Sequence, residues 1–221
     1  MLVCGARFPH HPAARCCIKK TALFVSYLKP VTLLVILANA AVFYLQQGAS
    51  DSLVLSFGLW PVESGHFQPG QVLTYSFLHA SLTHLAVNML AILMFGSDVE
   101  HELGSLRFAL YSLGCVAAAA LVQLAVAIIL GNIDRPTLGA SGGVFGVLIA
   151  FGMLFPRQKL VPLILPIPVP AWLFVGFYGV LELGLGIVET QDGVAHFAHL
   201  GGMLGGWLLM RYWLPKRRAV R

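Results

Sequence analysis

Charge is what this sequence has least of. Only 10% of its 221 residues are charged, with 9 Asp and Glu against 14 Lys and Arg, while 58% are hydrophobic. That balance, with a mean hydropathy of +0.82, excludes an ordinary water-soluble domain, whose single core could not hide so many apolar residues. Cysteine is scarce as well: Cys4, Cys16 and Cys17 precede the first apolar run and Cys115 lies inside another, which excludes a disulfide framework. His10, His11, Cys16 and Cys17 match no zinc spacing, and an unstructured tail is the reading adopted. The net charge of +5 does not argue for nucleic acid, because the basic residues sit in short flanks between apolar runs, where they orient helices in a bilayer. There is no internal repeat and no second domain. The apolar stretch Thr21 to Leu28 is short and is followed by Lys29 and Pro30 rather than a small-residue cleavage site, so no signal peptide is expected to be removed.

What is present is a series of apolar runs of about 17 to 25 residues, the length a helix needs to cross a hydrocarbon layer about 30 Å thick. Six spans are predicted: Val31–Gln47, Ser81–Gly96, Leu106–Leu130, Ser141–Phe155, Pro170–Val188 and Ala195–Trp213. The expected fold class is an all-α polytopic integral membrane protein. Residues 1–29 form a cytoplasmic tail, 30–213 the six-helix domain and 214–221 a basic cytoplasmic tail. Arg7, Arg15, Lys19, Lys20, Lys29, Arg107, Arg157, Lys159, Arg211, Lys216, Arg217, Arg218 and Arg221 fall on one side of these spans and only Arg135 on the other. This asymmetry puts both termini in the cytoplasm and the loops 48–80, 131–140 and 189–194 outside. Plasma membrane placement is the expectation, although the charge count fixes sidedness and not the membrane.

The fourth span departs from the rest. Between Ser141 and the stop at Pro156 it reaches only about 22 Å, too short to cross, so its outer end must begin inside the membrane. Irregular backbone at that depth, here Leu138-Gly139-Ala140, is tolerated only where protein buries it or where it faces a water-filled cavity. A cavity open to the outside is expected there.

Ser141 starts this short helix, where unpaired amides and the positive end of the helix dipole favour a developing oxyanion. An N-cap serine is the plainer reading of Ser141 alone. Counting up from Asp98, His84 lies about 21 Å from the inner face, and counting from Arg211, His199 lies about 18 Å from it, so both share the depth of Ser141. Asn88 is one turn from His84 on the same face. Each of these groups alone would pass as interhelical glue. A serine and a histidine together at a helix N-terminus, with further donors in one layer, are what acyl transfer requires. Gly142, Gly146, Gly201, Gly202, Gly205 and Gly206 form small faces that let backbones approach closely enough for a Ser–His hydrogen bond.

The runs His84-Leu-Ala-Val-Asn88, Gly139-Ala-Ser141-Gly142 and Ala198-His199-Leu-Gly-Gly202 resemble the signature motifs of the rhomboid intramembrane proteases, over about residues 30–213. The resemblance implies a Ser141–His199 dyad without a catalytic acid. It also implies an oxyanion hole of His84, Asn88 and the Ser141 backbone, with cleavage of transmembrane protein substrates near their outer ends. Gly139, Gly142, Phe145, Gly202 and Gly206 are expected to pack around the dyad. Glu100-His-Glu-Leu-Gly104 resembles the family's Glu-x-x-x-Gly, a structural feature. Two departures stand out. Many members carry Trp-Arg in the first external loop, where this chain has Gln71-Val72 before Leu73-Thr74. Phe145 stands where a tyrosine often stacks on the base, so stacking is expected without a hydroxyl contact.

Glu182 lies in the fifth span at the depth of the dyad; a third triad member is one reading and a paired structural carboxylate the preferred one. His196 is a rival base, and His79 is read as ordering the external loop. The function expected is an intramembrane serine endopeptidase that needs no metal or organic cofactor, with the lipid bilayer and transmembrane proteins as partners. The alternatives are an inactive rhomboid-like protein that binds and routes membrane clients, or a small-solute transporter. Inactive relatives would be expected to lack the serine or histidine, and a transporter's polar residues should line both halves of the bundle.

Overall fold

The computed structural model describes residues 28–131, 135–161, 167–188 and 195–213. Most of the N-terminal tail with Cys4, His10, His11, Cys16 and Cys17, the loop 189–194 and the C-terminal tail lie outside the described residues. Six helices carry the fold: α1 (Pro30–Phe57), α2 (Leu82–Leu103), α3 (Ser105–Leu130), α4 (Ser141–Leu154), α5 (Ala171–Val188) and α6 (His196–Trp213). Four of them, α1 (over Pro30–Ala49), α2, α3 and α5, are long and apolar enough to cross a membrane. α4 has 14 residues, about 21 Å, and is the short helix anticipated from the sequence. The chain folds as an all-α rhomboid-like membrane bundle.

The burial pattern is that of a protein solvated by lipid. Large apolar side chains such as Leu34, Tyr44, Leu121, Ile129, Val180 and Val188 point outward, whereas the fully buried positions include Ala119, Ala120, Ala150, Thr32 and Glu100. Where α3, α4 and α6 meet, small residues hold the contact, because helices in lipid gain stability by close backbone approach rather than by hiding apolar surface; large side chains such as Tyr75, Phe108, Tyr111 and Phe151 are fully buried as well. α6 makes its main contacts with α3 and α4. A Cβ on Gly205 would collide with Ala118, one on Gly146 with Cys115 and one on Gly202 with the Gly142 carbonyl.

The first span was expected to end at Gln47, and the membrane-length segment of α1 is Pro30–Ala49; non-helical Ala49 (φ −148°, ψ 37°) kinks the chain there, so loop 48–80 begins with about two more turns of helix, to Phe57. One helix differs from the sequence expectation. The second span runs on past Gly96 to Leu103, and Ile92–Gly96 form a π-helical turn. Such a turn widens the helix locally and leaves no mark in apolar periodicity.

Glu100 ties the start of α1 to the end of α2. Its carboxylate accepts from the amides of Val31 (3.0 Å) and Thr32 (2.8 Å) and from the hydroxyls of Thr32 (2.8 Å) and Ser105 (2.7 Å). The amides are those left without partners in the first turn of a helix, and the anion also meets the positive end of the α1 dipole. Gly104, with φ 79°, then turns the chain directly from α2 into α3, a backbone setting that L side chains rarely adopt.

The loop between α1 and α2 is anchored by a residue that the family pattern did not suggest. Gln71 is buried; its carbonyl accepts from the Trp60 amide (3.2 Å) and its amide donates to the carbonyls of Ser56 (3.3 Å) and His66 (3.0 Å). A backbone bridge between Leu59 and Thr137 fastens this loop to the segment leading into α4. At the opposite end of α4, Lys159–Leu160 and Val169–Pro170 pair as β1 and β2, a short antiparallel ribbon.

Candidate active site

The Leu138-Gly139-Ala140 segment, held from several sides, delivers Ser141. The Gly139 amide donates to the Tyr75 carbonyl (3.0 Å), and the Ala140 amide makes a long contact of 3.5 Å with His79 Nε2. His79 is fixed in turn by Gln46 of α1, whose side chain bonds both its amide and its carbonyl. Burial, and secondarily the neighbouring His84, push the His79 pKa down to about 4, so its ring is a neutral acceptor at physiological pH. Gly139 has φ 122°, and a Cβ there would stand 2.7 Å from the His84 ring. Glycine is required at this position for both backbone and space.

At the head of α4 no side chain caps the helix, which leaves first-turn amides, including that of Ser141, without intrahelical partners. Ser141 Oγ lies 2.7 Å from His199 Nε2. That distance depends on the approach of α6 to α4, where the backbones of Gly142 and Gly202 meet and Gly206 sits on Gly146. Tyr111 reinforces the same contact by donating from its hydroxyl to the Gly146 carbonyl at 2.6 Å, and Tyr75 donates to the Val116 carbonyl at 3.0 Å. Phe145 stacks on the His199 ring at 4.5 Å between centroids and 14° between planes.

Ser141, His199, His84 and Asn88 line one cavity of about 590 Å³, with Arg135, Gln123, Tyr178 and Glu182 among the other lining residues. Asn88 is buried and donates through Nδ2 to the His84 carbonyl at 3.1 Å. An amide nitrogen carries two hydrogens, so a second donor remains at that position. The His84 amide meets the N-cap hydroxyl of Ser81 at 3.1 Å. The structure thus brings together the sequence-predicted Ser141, His199, His84 and Asn88 with Gly139, Gly142, Phe145, Gly202 and Gly206. A nucleophile, a base, helix-end amides and side-chain donors around one cavity can support acyl transfer.

Glu182, read from the sequence as a paired carboxylate in preference to a triad member, is paired with two histidines. Its Oε2 lies 2.8 Å from His199 Nδ1 and 2.7 Å from His196 Nδ1. The two-residue dyad implied by the resemblance has a carboxylate behind its base, and His196 faces that carboxylate. Sequence depth alone found the level of Glu182 and could not find its direction. The ligand-type atoms of Glu182, His196 and His199 all lie within 4.8 Å of one another, close enough to share a cation. Two short hydrogen bonds already occupy the facing atoms, and we read the trio as a hydrogen-bonded group.

Comparison with known proteins gives the family. A family model described as the rhomboid domain matches residues 66–216, more than half of the chain. The chain is 35% identical over 156 residues to the mitochondrial rhomboid protein 1 of Saccharomyces cerevisiae, covering 66% of this chain and 43% of that protein. It is 28% identical over 194 residues to the rhomboid protease GlpG of Photorhabdus laumondii, covering 83% of this chain and 61% of that protein. With the RHOMBOID-like protein 4 of Arabidopsis thaliana it shares 31% identity over 150 residues, 63% of this chain and 32% of the relative. The chain therefore spans less than two thirds of the length of each of these relatives.

Proposed function

Because the chain belongs to the rhomboid family, we propose that it is an intramembrane serine endopeptidase that cleaves transmembrane proteins near the outer membrane face. The observation that carries this reading is the 2.7 Å contact between Ser141 Oγ and His199 Nε2 at the start of an uncapped helix inside the bundle. Neutral His199 takes the Ser141 proton as Oγ bonds to the substrate carbonyl carbon. The negative charge that develops on the carbonyl oxygen meets the Ser141 amide with donors from His84 and Asn88. Collapse of this intermediate breaks the peptide C–N bond, and His199 returns the proton to the leaving amine. Water then attacks the acyl-enzyme, giving its proton to His199, and the C–O bond to Ser141 breaks as His199 returns that proton to Oγ. The cavity of about 590 Å³ gives water a place beside the serine.

The same reading places residues 30–213 in the membrane as the protease domain, with residues 1–29 and 214–221 as cytoplasmic tails and the plasma membrane as its site. The test is fluorophosphonate labelling of the detergent-solubilised protein, with the modified residue mapped. Labelling at Ser141, and loss of both labelling and reporter cleavage in Ser141→Ala, is the expected result. Cleavage that survives in folded Ser141→Ala would sink the assignment. Cysteines introduced at Asp51 and Asp192 should react with an impermeant external reagent, and tags at Met1 and Arg221 should not be reached from that side.

A further inference from the structure

We propose that Glu182, steadied by His196, is a positioning residue of this site, so that the working unit is Ser141–His199–Glu182 rather than a serine–histidine pair. The inference rests on the endopeptidase reading above and adds to it a device that sets the state of the base. An ionised carboxylate only accepts hydrogen bonds. With Glu182 Oε2 at 2.7 and 2.8 Å from the two Nδ1 atoms, both imidazoles carry their proton on Nδ1. That tautomer leaves Nε2 of His199 with a lone pair aimed at Ser141 Oγ, 2.7 Å away, which is the form a general base must have. When the serine proton arrives, His199 becomes an imidazolium at a position nine-tenths buried. A carboxylate in contact with the opposite edge of the ring stabilises that charge where it forms and needs no reorganisation to do so.

The placement follows from the fold. Glu182 projects from α5 and both histidines from α6, where His196 and His199 are three apart and so share one face. All three are at least nine-tenths buried. His196 occupies one acceptor site of the carboxylate and restrains its swing, which makes it a support for Glu182 and not a rival base. The other titratable or polar groups facing His199 are Ser141 from α4 and, from α2, His84, which interacts with it electrostatically; His79 lies beyond His84, with ring centroids 5.0 Å apart. None of these is a carboxylate, so the balancing charge comes from Glu182 alone among the described residues around the base.

The competing account is that Glu182 and the histidines are hydrogen-bonded glue between α5 and α6. Three readouts on the full chain in detergent separate the two: kcat and KM for a reporter transmembrane substrate, the pH midpoint of fluorophosphonate labelling, and the folded fraction. Glu182→Gln preserves shape and hydrogen-bonding capacity but removes the charge. We expect kcat to fall by about 100- to 10,000-fold with KM little changed, and the labelling midpoint to move to lower pH, because an imidazolium without its carboxylate loses its proton more readily. His196→Ala is expected to have a smaller effect on kcat and to move the midpoint the other way, since a carboxylate relieved of one donor attracts the His199 charge more strongly. Glu182→Asp should recover part of the lost rate. A fall in kcat with both midpoints unmoved marks interhelical glue and overturns the proposal, as do wild-type kcat and midpoint in both variants. Should Glu182→Gln fail to fold, the His196→Ala midpoint decides: an upward shift supports the proposal and an unmoved one overturns it. Ser141→Ala in the same series keeps the two readings apart. If it still cleaves, the endopeptidase reading fails and takes this inference with it; if it is inert while Glu182→Gln behaves as wild type, only the inference fails.

Discussion

Among the described residues two carboxylates are buried, Glu100 with 1% of its surface exposed and Glu182 with 8%, and they have different kinds of partner. Glu100 accepts from two backbone amides and two hydroxyls, none of which changes charge at any ordinary pH. Glu182 accepts from two imidazoles, which do. A buried anion surrounded by fixed donors is a knot: it satisfies helix-end amides and holds α1, α2 and α3 in register. One bonded to titratable rings is coupled to the protonation state of the site. On the proposal above, the same side chain, at similar burial, acts on folding in one place and on chemistry in the other because of what donates to it.

The comparison is tested most severely by disabling each end separately. Removing His199 at the Glu182 end should abolish reporter cleavage, a loss on the order of 10⁶-fold in turnover, while thermal unfolding in detergent changes little. As Ser141 and His199 are proposed to act as a unit, the double variant should be hardly worse than either single variant, and additive losses measured in that cycle would argue against the pair. At the other end, Glu100→Ala orphans two buried donors of Thr32 and two half-buried ones of Val31 and Ser105, and a buried donor left unsatisfied costs about 1 to 3 kcal/mol. Stability should fall by upwards of about 3 kcal/mol, while turnover per folded molecule is retained. Normal stability in Glu100→Ala, or a turnover defect in its folded fraction, would break the distinction between the two carboxylates.

Smaller effects sharpen it. Asn88→Ala removes one proposed oxyanion donor and should slow turnover by about 100- to 1,000-fold, or about 2.7 to 4 kcal/mol, without abolishing it. His84→Ala should cost more, since its ring also packs against Gly139. Wild-type turnover in both would show that the oxyanion site is elsewhere. The mildest expected effect belongs to His79, whose pKa is lowered from 6.5 to about 4, chiefly by burial. The unfolded chain takes up this proton below about pH 6.5 and the folded protein only near pH 4, so His79 is neutral in its effect above that window and erodes stability as pH falls through it. His79→Gln, which cannot titrate, should flatten the acid side of a stability profile recorded between pH 7 and 4. An unchanged profile would place the acid sensitivity in other groups.

Some of this was legible in the residue string. Membrane embedding follows from the near absence of charge, and the short fourth helix from Pro156 following Ser141 so closely. The layer shared by Ser141, His84, Asn88 and His199 follows from counting residues along spans, because a helix rises by a fixed 1.5 Å per residue and depth is therefore a linear function of sequence. Azimuth is not. Which way Glu182 faces depends on the rotation of α5 about its own axis, and that is set by side-chain packing against α6. The π turn at Ile92–Gly96 adds a local rotation that no apolar pattern records. Gln71 shows the same limit from another side: three hydrogen bonds to distant backbone give a glutamine the anchoring task in this loop, and nothing in its neighbours announces it. The sequence by itself determined the solvent, the six helices and the common level of the candidate site residues, since composition, length and rise are local quantities. Only the tertiary structure decided which buried groups touch, because contact across helices depends on rotations and close approaches summed over the whole bundle.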